Sequence, residues 1–198
     1  KGGNYFKINN DLDFENEKFY MLGTINNYFD GVLLGNNKTI KNVNVSGYSG
    51  GLIGYLNSGE IKEINLENIK STARTDYSGL LVGTNKGGKI NKININNSSI
   101  NIVKFAGGLI GEDTNGTIKG VNVNNTKVTG SNYVGGLIGY TREKGTMTGI
   151  NIDNIEVTGT SSVGGLIGQI YNNNTIKEVA IYGKVTGTSD GIGGLIGY

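Results

Sequence analysis

Gly135-Gly136-Leu137-Ile138-Gly139 is the stretch whose reading decides the fold, because it comes back. The same five residues stand at Gly50-Gly51-Leu52-Ile53-Gly54, at Gly107-Gly108-Leu109-Ile110-Gly111, at Gly164-Gly165-Leu166-Ile167-Gly168 and at Gly193-Gly194-Leu195-Ile196-Gly197. Looser copies are Gly31-Val32-Leu33-Leu34-Gly35 and Gly79-Leu80-Leu81-Val82-Gly83, so the steps between first glycines are 19, 29, 28, 28, 29 and 29. A fixed period in this range marks a solenoid or an array of like units.

A second pattern runs with the first. Thr39-Ile40-Lys41-Asn42-Val43-Asn44-Val45 aligns with the segments that begin at Glu60, Lys89, Thr117, Thr146 and Thr175, which makes the first unit 21 residues and the others 28 or 29. Val43-Asn44-Val45 and Ile93-Asn94-Ile95 alternate with the period of two of a half-buried strand. The isoleucine before each pair is out of phase by one, which predicts a bend between them. Lys127-Val128-Thr129-Gly130 and its equivalents supply a second strand, and the glycine motif supplies a third. The expectation is an all-β parallel β-helix of three short strands per coil, right-handed by the crossover rule. Residues 1–38 form a lead-in or first coil rich in aromatics, and 39–198 the stacked coils of one elongated domain. Stacking predicts columns of like residues: Ile40, Ile61, Ile90, Ile118, Met147 and Ile176 inside, and Asn44, Asn65, Asn94, Asn122 and Asn151 in a hydrogen-bonded ladder. A β-propeller needs longer units, and the helical half of a leucine-rich repeat is missing.

The glycine pentads with their Thr-Ile-Lys-x-Val-x-Val strands, from about Phe29 to Tyr198, resemble the GLUG motif of bacterial surface proteins. That family occurs in IgA-protease-like zinc metallopeptidases of Gram-positive bacteria and in large adhesin-like proteins. The resemblance implies a secreted or wall-attached parent, hence an extracellular or cell-surface location. It carries over no catalytic residue.

The composition narrows the chemistry. With Cys 0 and His 0, neither a Ser-His-Asp triad, a Cys-His dyad nor a His-bearing zinc site can be built, and no cofactor is expected. A net charge of +2 gives no field for nucleic acid, and no apolar run reaches the ~20 residues of a membrane span. The chain stops inside a repeat unit, which leads us to expect a piece of a longer protein, with flanking domains as neighbours and edge-to-edge self-contact at the last coil.

Carboxylate pairs remain as candidate catalytic groups, Asp11 with Asp13 and Glu112 with Asp113; Asp11 and Asp13, which alternate with Leu12 and so share an outward face, are also candidates for calcium contact. In the sequence, neither arginine, Arg74 or Arg142, stands near a repeated acidic cluster. Tyr48, Tyr77, Phe105 and Tyr133 hold the same place before successive motifs and form a candidate strip for contact with a glycan or host protein. The motif glycines read as structural turn residues, with a bend in or beside each motif and backbone angles closed to other residues. The leading expectation is a non-catalytic spacer or interaction segment; the rival is a carbohydrate-active β-helix enzyme or glycan-binding module.

Overall fold

Isoleucine, valine and threonine recur at alternate positions, and proline, which would remove a ladder donor, is absent from the chain. A computed structural model, describing residues 3–47, 50–74 and 76–198, is all-β, a solenoid of about seven turns in which parallel strands stack coil on coil. Three parallel sheets run along it. The largest contains the long strands Val32–Gly47, Glu60–Ala73, Thr117–Thr129, Thr146–Gly159 and Thr175–Gly187, with Lys89–Asn96 and Ser99–Asn101 making up one level between them. The second stacks Ser78–Gly79, Lys104–Gly107, Asn132–Gly135, Ser161–Gly164 and Ile192–Gly193. The third stacks Ile53–Asn57, Val82–Lys86, Ile110–Thr114, Ile138–Thr141 and Ile167–Ile170.

The strands therefore divide differently from the three expected. The segments expected as two strands merge into one long run, kinked where single residues enter the left-handed region. Glu63, Lys92, Gly120, Gly149 and Glu178 do so with φ between 54° and 67°, at the phase break seen in the sequence. The kink lets Ile61, Ile64 and Leu66 all point inward, each 0 % exposed. Asn68, Asn97, Asn125 and Asn154 form a second such corner, φ 46° to 53°, using a residue type that tolerates this conformation. The glycine motif spans two sheets. Gly135 closes one strand, Ile138 opens the next, and the bend falls between them. That bend is why Leu137 and Ile138, adjacent in sequence, are both fully buried.

The first coil is in a different register from the one expected. Val32 pairs with Glu60 and Leu33 with Ile61, whereas Ile40 pairs with Leu66 and Asn44 with Lys70. The interior column is thus headed by Leu33 rather than Ile40, and the 21-residue unit is an artefact of alignment; the step from Val32 to Glu60 is the usual 28. The cause is a bulge at Gly35, Asn36 and Asn37 opposite Glu63, with both asparagines left-handed at φ 54° and 57°. Gly31–Gly35 is accordingly no copy of the motif, since it leads into a long strand. The asparagine ladder is correspondingly shorter: Asn122 donates to Asn94, Asn94 to Asn65, and Asn65 to the carbonyl of Asn37. Asn44 donates instead to the Asn16 carbonyl. Tyr5–Lys7, Leu12–Asp13 and Lys18–Phe19 pair along Val32–Gly47, and Phe14, Phe19 and Phe29 pack against the end of the core.

Candidate functional site

The motif glycines are needed for space rather than for backbone angle, which corrects the expectation of angles closed to other residues. Gly51 alone among them has a positive φ, 159° and almost fully extended. A Cβ on Gly107, Gly135 or Gly164 would strike the carbonyl oxygen of the isoleucine three residues on, and one on Gly108, Gly136 or Gly165 the carbonyl of its counterpart in the next coil. The closing glycines meet something else. A Cβ on Gly139 would lie 2.5 Å from the carbonyl carbon of Phe105, and one on Gly168 the same distance from that of Tyr133. Each motif thus folds its exit strand against the corner that precedes the motif one coil earlier.

That corner carries the rings. Tyr77 stacks on Phe105 with centroids 4.5 Å apart, and Phe105 on Tyr133 at 4.7 Å with planes 9° apart. Tyr48, the fourth candidate, lies outside the described residues. Phe105 and Tyr133 are left-handed, φ 51° and 59°, as are Ser162 and Gly191 at the same place in the next coils. A bulky side chain in this region is uncommon and strained by roughly 1–2 kcal/mol. Each aromatic pair returns about 0.5–1.5 kcal/mol beyond its buried area, so the ring contacts offset the strain. Glycine would occupy the corner with no such cost, as Gly191 does.

The exit strands bring three residues that the sequence reading missed as partners of this column. Tyr140, directly after the motif, tilts against both Phe105 and Tyr133, at 5.6 and 5.9 Å. The Arg142 guanidinium lies 5.7 Å from the Tyr140 centroid. Its Nε is 2.9 Å from Glu112 Oε1, an ionic contact whose N–H is not aligned for a hydrogen bond. The fold thus puts Arg142 beside an acidic residue where the sequence suggested none. Burial raises the Tyr77 hydroxyl above the usual phenol range, with the Glu112 charge adding to it. Burial also raises Tyr140. Arg142 is raised further by Glu112. The signal for Tyr140 was available in sequence, since Tyr55, Tyr140 and Tyr198 all follow a motif. Nothing in sequence says that this position meets the column before the motif.

The two carboxylate pairs are otherwise engaged. Glu112 faces the rings, while its neighbour Asp113 points into the core at 0 % exposure, so the two do not share a face. Asp113 accepts from Asn85 Nδ2 at 2.7 Å and from the Gly116 N–H at 3.2 Å. It fastens a turn there, as Asn85 does for the Gly88 N–H. Burial pushes its pKa up to about 6, against the opposing effect of those hydrogen bonds. Asp11 accepts from the Thr39 N–H. Asp13 accepts from Asn42 Nδ2 and the Glu15 N–H and lies 3.3 Å from Lys41; the Asn42 bond, foremost, holds it below the usual carboxylate range. Among the described residues no three acidic side chains gather as a metal would require.

Comparison with protein-family models, curated proteins and solved structures finds no match. The likeness to GLUG repeats rests on the residues quoted for it.

Proposed function

We propose that this chain is a non-catalytic β-solenoid segment of a secreted or wall-attached bacterial protein, an adhesin or the accessory region of a zinc metallopeptidase. It holds a contact surface of rings and one arginine at a fixed distance from flanking domains. One observation carries the reading: bulky rings occupy a left-handed corner that glycine fills elsewhere, and they are flanked by Tyr140 and Arg142. Local strain retained at a half-exposed position points to use. Tyrosine and arginine are also the residues that most often dominate binding energy at protein interfaces.

The test is binding of the purified chain to a panel of host glycoproteins and glycans, wild type against Tyr77→Ala and Tyr140→Ala. Weakened binding by variants that remain folded at the assay temperature supports the reading. Cleavage of a polysaccharide that disappears when a carboxylate is changed would overturn it in favour of an enzyme.

A further inference from the structure

The ring column ends at Tyr133, two coils before its corner does. Asn132 pairs with Ser161 and Val134 with Val163, so Ser162 stands where the next ring would be, and Gly191 follows it. One face of Tyr133 is covered by Phe105; the other opens on a cleft of about 440 Å³ lined by Ser162, Gln169, Asp190 and Tyr198 among others. This is within the ~300–1,000 Å³ common for small-molecule sites.

Building on the contact-surface reading, we propose that this cleft seats a neutral hexopyranose ring, its C–H face against Tyr133 and its hydroxyls toward Gln169 and Asp190.

The chemistry of the lining selects that class. The open face of a tyrosine offers an apolar plate with a negative quadrupole, matched by the weakly positive C–H face of a pyranose. Successive levels of a sheet stack are ~4.8 Å apart, and ring centroids here are 4.5 and 4.7 Å apart. A flat ring seated at the Ser162 level therefore continues the column at its own spacing. Around the plate, a carboxylate accepts hydrogen bonds from two neighbouring hydroxyls, an amide both donates and accepts, and the Ser162 hydroxyl does either. Ser161, whose Oγ donates to Asn132 Oδ1 at 2.6 Å, is held in place by that bond. A nucleobase would stack as well, but its phosphate would meet the Asp190 carboxylate in a lining that contains no lysine or arginine. A uronic acid is disfavoured for the same reason.

The decisive variant is Ser162→Tyr. Ser162 has φ 51°, equal to that of Phe105 and close to the 59° of Tyr133, so the backbone is already set to carry a ring. The substitution extends the protein's own stack into the proposed sugar position. Wild-type chain titrated with methyl hexosides and hexose disaccharides is expected to show saturation transfer to ring C–H protons. Ser162→Tyr should weaken binding at least about tenfold while keeping or raising the unfolding temperature. Asp190→Asn should weaken it without moving that temperature. If Ser162→Tyr binds the sugar as the wild type does while Tyr77→Ala or Tyr140→Ala abolishes binding, the cleft is overturned and the wider contact surface stands. If no neutral hexoside binds, the cleft proposal falls, and the glycoprotein panel alone decides on the surface.

Discussion

The rings of Phe105 and Tyr133 lie nearly parallel, 9° apart in plane and 4.7 Å apart at their centres, although 28 residues of chain separate them. Phe105 is the busiest member of the column, touching Tyr77 on one side and Tyr133 and Tyr140 on the other. Phe105→Ala removes all three ring contacts. At about 0.5–1.5 kcal/mol each, with the left-handed strain unchanged because alanine shares it, the expected loss is about 2–4 kcal/mol in urea unfolding. Tyr77→Ala, with one ring partner among the described residues, should cost less than half as much. Equal costs would mean that the stack contributes nothing beyond burial.

Glycine replacement separates space from backbone angle. A Cβ at Gly136 would overlap the carbonyl of Gly165, while one at Gly194 meets nothing within 4 Å. Gly136→Ala is expected to destabilise by about 3 kcal/mol, the upper part of the overpacking range. Gly194→Ala, the same substitution in the same motif, should stay within about 0.5 kcal/mol of wild type. Denaturant midpoints of the two variants decide the matter.

Asp113 makes stability depend on pH in an unusual direction for a carboxylate. Its folded pKa of about 6 lies above the unbound value of 3.8, so between those values the folded state binds more protons than the unfolded one. Its contribution is fully present below about pH 4 and is lost as pH rises through 6, about 3 kcal/mol in all at 1.36 kcal/mol per pKa unit. Asp113→Asn should flatten that part of the stability profile. Unfolding measured from pH 4 to pH 8 reads the slope directly, and a wild-type slope of the opposite sign would refute the assignment.

The Glu112 side chain is 9 % exposed and that of Arg142 54 %. Arg142→Ala leaves the carboxylate without its cation in a nearly dry position. The full penalty for breaking a buried pair is about 3–5 kcal/mol; solvent around the arginine reduces it to an expected 1–2 kcal/mol. Adding Glu112→Gln to Arg142→Ala should restore at least half of the loss, as a double-mutant cycle would show.

What could be read in advance follows from which forces act within a coil and which between coils. The alternation of Ile93-Asn94-Ile95 and the repeat of the pentad are properties of one unit, and both were legible. So was the need for a bend, because Leu137 and Ile138 cannot both face inward on a straight strand. The register of the first coil was not, since two left-handed asparagines, Asn36 and Asn37, shift Ile40 onto Leu66, and nothing in their identity announces a bulge. Left-handed corners were expected at glycines and fall mostly on Asn, Glu and Lys, where packing on either side fixes the backbone. The ring column was visible as spacing. Its meeting with Tyr140 and Arg142 depends on how tightly the exit strand closes on the preceding coil, a distance that sequence periodicity does not encode.

Because each coil packs mainly on the ones directly above and below it, the corner that carries Phe105, Tyr133, Ser162 and Gly191 is a series of interchangeable rungs. A ring on a rung extends the plate; a small residue opens a berth beside it. Gain or loss of one whole coil would move every later rung by one level without altering any of them. The reach of such a protein and the number of berths along it are thus set independently, the first by counting coils and the second by a single residue in each.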